Sequence, residues 1–206
     1  FLIAHAANFE NWPPAVAYNP VSDEYLVVWY QDRGEPGESN IYGQRVSDDG
    51  VPVGGIFLVN SEGLQARPAV AANTVTGEYL VVWSKFESWL NLKLFGQRLR
   101  SNGERIGAAI PLGKGDKPAV TYNGVSGEYL VVWADGFAQA ARVQPDGSVI
   151  GGIALSEPGM SRNFSDVAAD AAGGYLAVWD APAGDNQTAV LGRELSPKGE
   201  PQSIQW

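Results

Sequence analysis

Apolar and polar residues alternate in short runs throughout this chain, and one run recurs four times: Tyr25-Leu-Val-Val-Trp29, Tyr79-Leu-Val-Val-Trp83, Tyr129-Leu-Val-Val-Trp133 and Tyr175-Leu-Ala-Val-Trp179. The four tryptophans stand roughly fifty residues apart, a period that signals a solenoid, propeller or array. Each period reads as four short strands. Strand A is Pro14–Asn19, recurring at 68–73, 118–123 and, loosely, 165–170; strand B is the Tyr-to-Trp run. Strand C is Ile41–Val46, recurring around Phe95–Arg98, Arg142-Val143 and Arg193-Glu194. Strand D is Gly55–Val59, echoed at Ala109–Leu112 and Gly152–Leu155. Period-two alternation, β-branched and aromatic enrichment and glycine-bearing turns agree on strands, and no segment reads as helix.

Turn chemistry supports hairpins between these strands. Strands C and D are joined through Asp49-Gly50, Asn102-Gly103, Asp146-Gly147 and Lys198-Gly199. Asx-Gly supplies the positive φ angles of a tight turn without invoking a calcium ion. An arginine recurs on strand C, as Arg45, Arg98, Arg142 and Arg193. A two-residue turn at Asp135-Gly136 would set Arg142 directly across from Tyr129, so four internal Tyr–Arg pairs are expected. Together with Trp29, Trp83, Trp133 and Trp179, these arginines read as framework.

Four-stranded units repeated around an axis predict an all-β, four-bladed propeller. A single domain over 1–206 is expected, with repeats at about 14–59, 68–112, 118–155 and 165–206. Strand A, with its small side chains, suits the crowded centre. Phe1-Leu-Ile-Ala4 resembles strand D (compare Phe57-Leu-Val-Asn60) yet precedes the first strand A. It is suited to complete the fourth blade and close the ring, or to be lent to a neighbouring molecule.

Composition narrows the field. A net charge of −9 without a basic stripe argues against nucleic acid. No stretch is long and apolar enough to insert in a bilayer as a helix. Cysteine is absent, which excludes disulfides, thiolate metal sites and a cysteine nucleophile. The chain does not begin with methionine, so a mature form or a fragment is expected.

The unit Pro-Ala-Val-x-x-Asn, Gly-Glu-Tyr-Leu-Val-Val-Trp, Ile-Tyr-Gly-Gln-Arg-Val, Asp-Gly and Gly-Gly resembles the tandem repeats of large secreted or surface-exposed bacterial proteins. In blade number the chain is also similar to hemopexin-like propellers, without their signature or closing disulfide. The resemblance covers essentially the whole chain; the fourth repeat departs most. It implies an extracellular or cell-surface, non-catalytic module and transfers no catalytic residue.

Function is expected where the repeats differ. The B–C and D–A loops share one face and vary in length, and loops on a rigid scaffold are where binding residues concentrate. That face carries Phe9, Trp12, Tyr30, Phe86, Trp89, Phe137, Met160 and Phe164, and the carboxylates Asp32, Glu87, Asp135 and Asp180 follow the four tryptophans. The leading expectation is a non-enzymatic interaction or assembly module, contacting proteins or copies of itself through this face or its strand edges. A lectin stacking sugars on Trp12 or Trp89 is the alternative; third comes a glycosidase or lyase using the loop-face carboxylates. No cofactor and no metal ligand set is expected, although an ion held by backbone carbonyls in a central channel would leave no trace in sequence. Asn163 and Asn186 open N-glycosylation sequons.

Overall fold

The computed structural model describes residues 2–3, 13–32, 39–88, 91–159, 165–184 and 187–202, and only strands among the regular elements. Unit 1 comprises β1 (Ala15–Asn19), β2 (Glu24–Asp32), β3 (Ser39–Ser47) and β4 (Pro52–Asn60). Unit 2 comprises β5 (Leu64–Ala72), β6 (Tyr79–Ser88), β7 (Asn91–Leu99) and β8 (Arg105–Lys114). Unit 3 comprises β9 (Asp116–Asn123), β10 (Glu128–Ala134), β11 (Ala138–Val143) and β12 (Val149–Ala154). Among the described residues unit 4 holds three strands, β13 (Ser165–Ala169), β14 (Tyr175–Pro182) and β15 (Thr188–Leu195). Each unit is an antiparallel meander, and one parallel bridge, Ser39 to Leu64, joins the first two.

The units stack through a repeated interface that the period-two pattern creates. In each strand B, Leu and the second Val face the next unit, while Tyr, the first Val (Ala177 in β14) and Trp face the previous one. Leu26 and Val28 thus pack on Tyr79, Val81 and Trp83. Leu80 and Val82 pack on Tyr129, Val131 and Trp133, and Leu130 and Val132 on Tyr175, Ala177 and Trp179. All four strand-B tryptophans are buried, and in units 1 and 2 the ring stacks on its cross-strand neighbour, Trp29 on Tyr42 and Trp83 on Phe95. The first strands β1, β5, β9 and β13 follow one another in contact.

The asparagine that ends strand A links neighbouring units. Asn19 Oδ1 accepts from Val21 N at 3.0 Å while its Nδ2 donates to Gly77 O of unit 2 at 2.7 Å. Asn123 repeats this with Val125 N at 2.9 Å and Gly173 O of unit 4 at 2.7 Å. Both side chains are fully buried, so one amide satisfies its own turn and the next unit's carbonyl together.

The expected Tyr–Arg pairs do not form. The β10–β11 hairpin pairs Ala134 with Ala138, leaving a three-residue connection rather than a two-residue turn. The register therefore moves by one, Arg142 faces Leu130, and a one-residue shift changes the sheet face. The arginines instead reach the glutamate before each tyrosine: Arg45 to Glu24 at 3.2 Å, Arg98 to Glu78 at 2.9 Å, Arg142 to Glu128 at 3.0 Å. Arg193 is not their counterpart. It stands opposite Ala177, and Glu194, opposite Leu176, holds the place of the other arginines.

The expected fourth strand of unit 4 is absent from the described residues, and Leu2 and Ile3 lie outside any strand. Ile3 packs on Val27, Trp29 and Val46 of unit 1; Phe1 and Ala4 lie outside the described residues.

Alkaline stability tests this packing. The Tyr129 hydroxyl donates to Glu78 O at 3.2 Å, and burial, aided by the Glu78 charge, pushes its pKa far above the tyrosine range. Burial raises Tyr79 as well. A pKa raised by folding adds stability that is complete below the unfolded value near pH 10 and lost above it, at up to about 1.4 kcal/mol per pH unit per group. Melting temperature is expected to fall as pH passes about 10, and less steeply in Tyr129→Phe. Identical slopes in the two proteins would contradict this placement.

Candidate functional site

Strand A begins, and strand B ends, on the same face of every unit, so the starts of β1, β5, β9 and β13 converge there. They enclose a cavity of about 400 Å³ to which all four units contribute. Unit 1 supplies Pro13, Pro14 and Tyr30, unit 2 Arg67 and Pro68, unit 3 Lys117 and Pro118, and unit 4 Ser165.

Two of these positions are locally strained in the same way. Arg67 and Lys117 have φ of 55° and 51°. Each precedes a proline, which itself disfavours helical backbone, and positive φ is uncommon for such side chains. Both sit where the ladder to strand B slips, between Ala66 and Ala69 in unit 2 and opposite Val132–Ala134 in unit 3. Such strain costs about 1–3 kcal/mol per residue and tends to collect at functional sites.

A polar network uses these bulges. Asp116 Oδ1 accepts from Ser84 Oγ at 2.9 Å and from Lys117 N at 2.8 Å, and its Oδ2 pairs with Arg67 Nη1. Lys117 N also donates to Ser84 Oγ at 3.1 Å. Arg67 lies over the Phe86 ring, 5.7 Å from its centroid, within cation–π reach. Donors from two units thus converge on one carboxylate and fix its position.

Beside this cavity lies another of about 340 Å³, on the outward face of unit 4, lined by Asp166, Val178, Trp179, Asp180 and Val190. Ser165 belongs to both. A third, of about 450 Å³, opens on unit 1 beneath Ile3 and is mostly apolar, with Tyr25, Ser47 and Asp48 among its lining residues. Among the described residues no cluster of three or more His, Asp or Glu is placed to hold a metal ion.

The sequence candidates divide accordingly. Tyr30 lines the central cavity, and Phe86 is half-buried under Arg67. Asp180 stands on unit 4 in the adjoining cavity. Asp135 is exposed and Phe137 half-buried in the unit 3 hairpin, where Asp135 N donates to Phe137 O at 3.1 Å. Trp12, Trp89, Asn163, Asn186 and the side chain of Asp32 lie outside the described residues. The network of Ser84, Arg67, Asp116 and Lys117 was not anticipated. Its signal was a basic residue before the opening proline of strand A in two consecutive repeats, Arg67-Pro68 and Lys117-Pro118.

No known protein family matches the chain, and no curated protein matches it. Solved structures do. The GH43 endo-arabinanase from Bacillus licheniformis is 15% identical, with a TM-score of 0.52 over 94% of this chain and 77% of its own. A GH43 enzyme from Xanthomonas citri is 10% identical, with a TM-score of 0.56 over 95% and 73% of the two chains. An α-L-arabinofuranosidase from Fusarium graminearum is 10% identical, with a TM-score of 0.65 over 90% and 57%. At these identities the chain shares their propeller-type fold. The expectation of a non-catalytic interaction module, and of no enzymatic activity, is overturned here, because these neighbours are glycoside hydrolases.

Proposed function

We propose that the chain is a carbohydrate-active enzyme that cleaves glycosidic bonds at the central cavity. The observation that carries this reading is a single carboxylate, Asp116, held by Arg67, Ser84 and a backbone N–H beside a cavity to which every unit contributes. Glycoside hydrolysis needs one ionised carboxylate and one that donates a proton. Asp116 is assigned the ionised role because Arg67, Ser84 and the Lys117 N–H hold it in one position. Asp180 of unit 4 is the proposed proton donor, on the wall that Ser165 shares with the central cavity. Tyr30 offers a flat apolar surface against which a sugar ring stacks, and the Arg67 and Lys117 backbones shape the opposite rim.

The arabinan, xylotriose and mannoside chemistry of the fold neighbours sets the first substrates: α-arabinan, β-xylan and β-mannan with their oligosaccharides. Polymers of this kind are met outside the cell, in keeping with an extracellular or cell-surface location. The test is release of reducing ends from each polymer by the purified chain. Saturable cleavage of at least one, abolished in an Asp116→Asn, Asp180→Asn double variant that still folds, is expected. Cleavage of none, or equal cleavage by the double variant, would falsify the reading.

A further inference from the structure

We infer that the space between unit 4 and unit 1 is a docking site for one further β-unit of the same repeat, joined in tandem with the four. Three interfaces in this molecule follow one rule, the Leu-Val face of one unit on the Tyr-Trp face of the next. The rule stops at both ends. Leu26, Leu80 and Leu130 are 0% exposed, whereas Leu176 is 50% exposed and Val190, farther along the same sheet face, 78%. Tyr79, Tyr129 and Tyr175 are at most 3% exposed, whereas Tyr25 is 37% exposed. Among the described residues, no unit covers the Leu-Val face of unit 4, and on the Tyr-Trp face of unit 1 Tyr25 is open while Val27, Trp29 and Val46 are buried beneath Ile3.

Ile3 marks where that neighbour belongs. In the covered interfaces the outer strand contributes Val59, Leu112 or Leu155 to the core shared with the next unit. Ile3 occupies the corresponding place against Val27, Trp29 and Val46. Beneath it the apolar cavity of about 450 Å³, reaching Val16 and Tyr25, is left where the incoming strand B would place its leucine and valine.

Charge decides what the occupant is. Strand C of a unit sends its arginine towards the next unit's C–D turn: an added Cβ on Gly147 would lie 3.7 Å from Arg98 Nη1, and one on Gly199 3.1 Å from Arg142 Cδ. On unit 4 that place is held by Glu194, and the C–D turn of unit 1 is Asp48-Asp49-Gly50. Direct contact of unit 4 with unit 1, within one molecule or between two copies, would set Glu194 against Asp48 and Asp49. Asp170 also replaces the asparagine whose amide reaches the next unit. A separate unit resolves both conflicts. Its trailing face, with leucine and arginine, meets unit 1 and its aspartates. Its leading face, with Tyr, Trp and a basic turn, meets unit 4. A second copy has no such unit to offer, since its own free walls are these same two. The docked unit would also roof the unit 4 cavity that holds Asp180, but its test reads stability and dye binding, so its failure is distinguishable from failure of the glycosidase reading.

The test appends a copy of residues 61–114, which carries Arg98 and Arg100, after Trp206. Melting temperature is expected to rise by several degrees and hydrophobic-dye fluorescence to fall at least two-fold. The extension should resist protease, and a second version with the appended copies of Tyr79 and Leu80 changed to serine should do none of this. An extension that stays protease-sensitive with unchanged dye binding would overturn the inference. Two measurements on the unextended chain are equally decisive. Because the chain lacks cysteine, Val27→Cys with Val178→Cys reports contact between the walls. Rapid intramolecular disulfide formation would show that unit 4 meets unit 1 directly, and concentration-dependent self-association that quenches dye binding would make a second copy the occupant. Either result overturns the inference; a monomer with free thiols supports it.

Discussion

Leu130→Ala is expected to cost about 2–5 kcal/mol of unfolding free energy, whereas Leu176→Ala should cost less than about 1 kcal/mol. The two leucines hold the same place in the Tyr-to-Trp run, so local propensity and sheet position are matched. What differs is the covering unit. Leu130 is fully buried against Tyr175, Ala177 and Trp179, so truncation removes apolar burial and leaves a cavity that the neighbouring strand cannot fill. Leu176 is half exposed, and its truncation leaves solvent rather than a void. A domain holds only about 5–15 kcal/mol in total, so the first change removes a large share and the second little. Urea unfolding of both variants at neutral pH measures the difference. Equal costs would mean that the Leu176 face is covered in solution.

That contrast also explains which parts of the fold were legible. The strands, their hairpins and the all-β class follow from a period-two pattern read four times over, because each unit buries the same positions. The two faces of strand B were equally readable as apolar; which unit meets which was not, because packing partners lie about fifty residues away. Register failed where it rested on one turn. Asp135-Gly136 reads as a two-residue hairpin, but Phe137 joins the connection, and Arg142 moves from Tyr129 to the leucine face. Aligning the fourth repeat on its arginine hid the same kind of slip, since Glu194, not Arg193, answers to Arg45. The loop face was singled out by its variability, and strand A begins on it because the hairpins alternate direction. Asp116 went unnoticed because its setting is built from two units. Ser84 comes from the end of one strand B and Arg67 from a bulge that the pair Arg67-Pro68 does not announce, and only the stacked units bring them to one carboxylate.

Asp116→Asn is expected to lower glycoside cleavage by about 10²–10⁴-fold while leaving substrate affinity within a few-fold. The asparagine oxygen keeps the acceptor for Ser84 Oγ and Lys117 N, so the bulge and the cavity wall should hold their shape. What disappears is the negative charge that the proposed mechanism needs when positive charge develops on the sugar ring. The change also leaves Arg67 without its ionic partner, but that pair is partly exposed, and its loss should cost no more than about 1 kcal/mol. Melting temperature should therefore barely move, which separates a chemical role from a structural one. Asp146→Asn, in an exposed turn on the opposite face, provides the matched control and should retain full activity. The discriminating measurement is the ratio of kcat to KM effects on the polymer that the wild-type chain cleaves best. A loss confined to KM would make Asp116 a binding group, and a loss shared equally by Asp146→Asn would remove the central cavity from the mechanism.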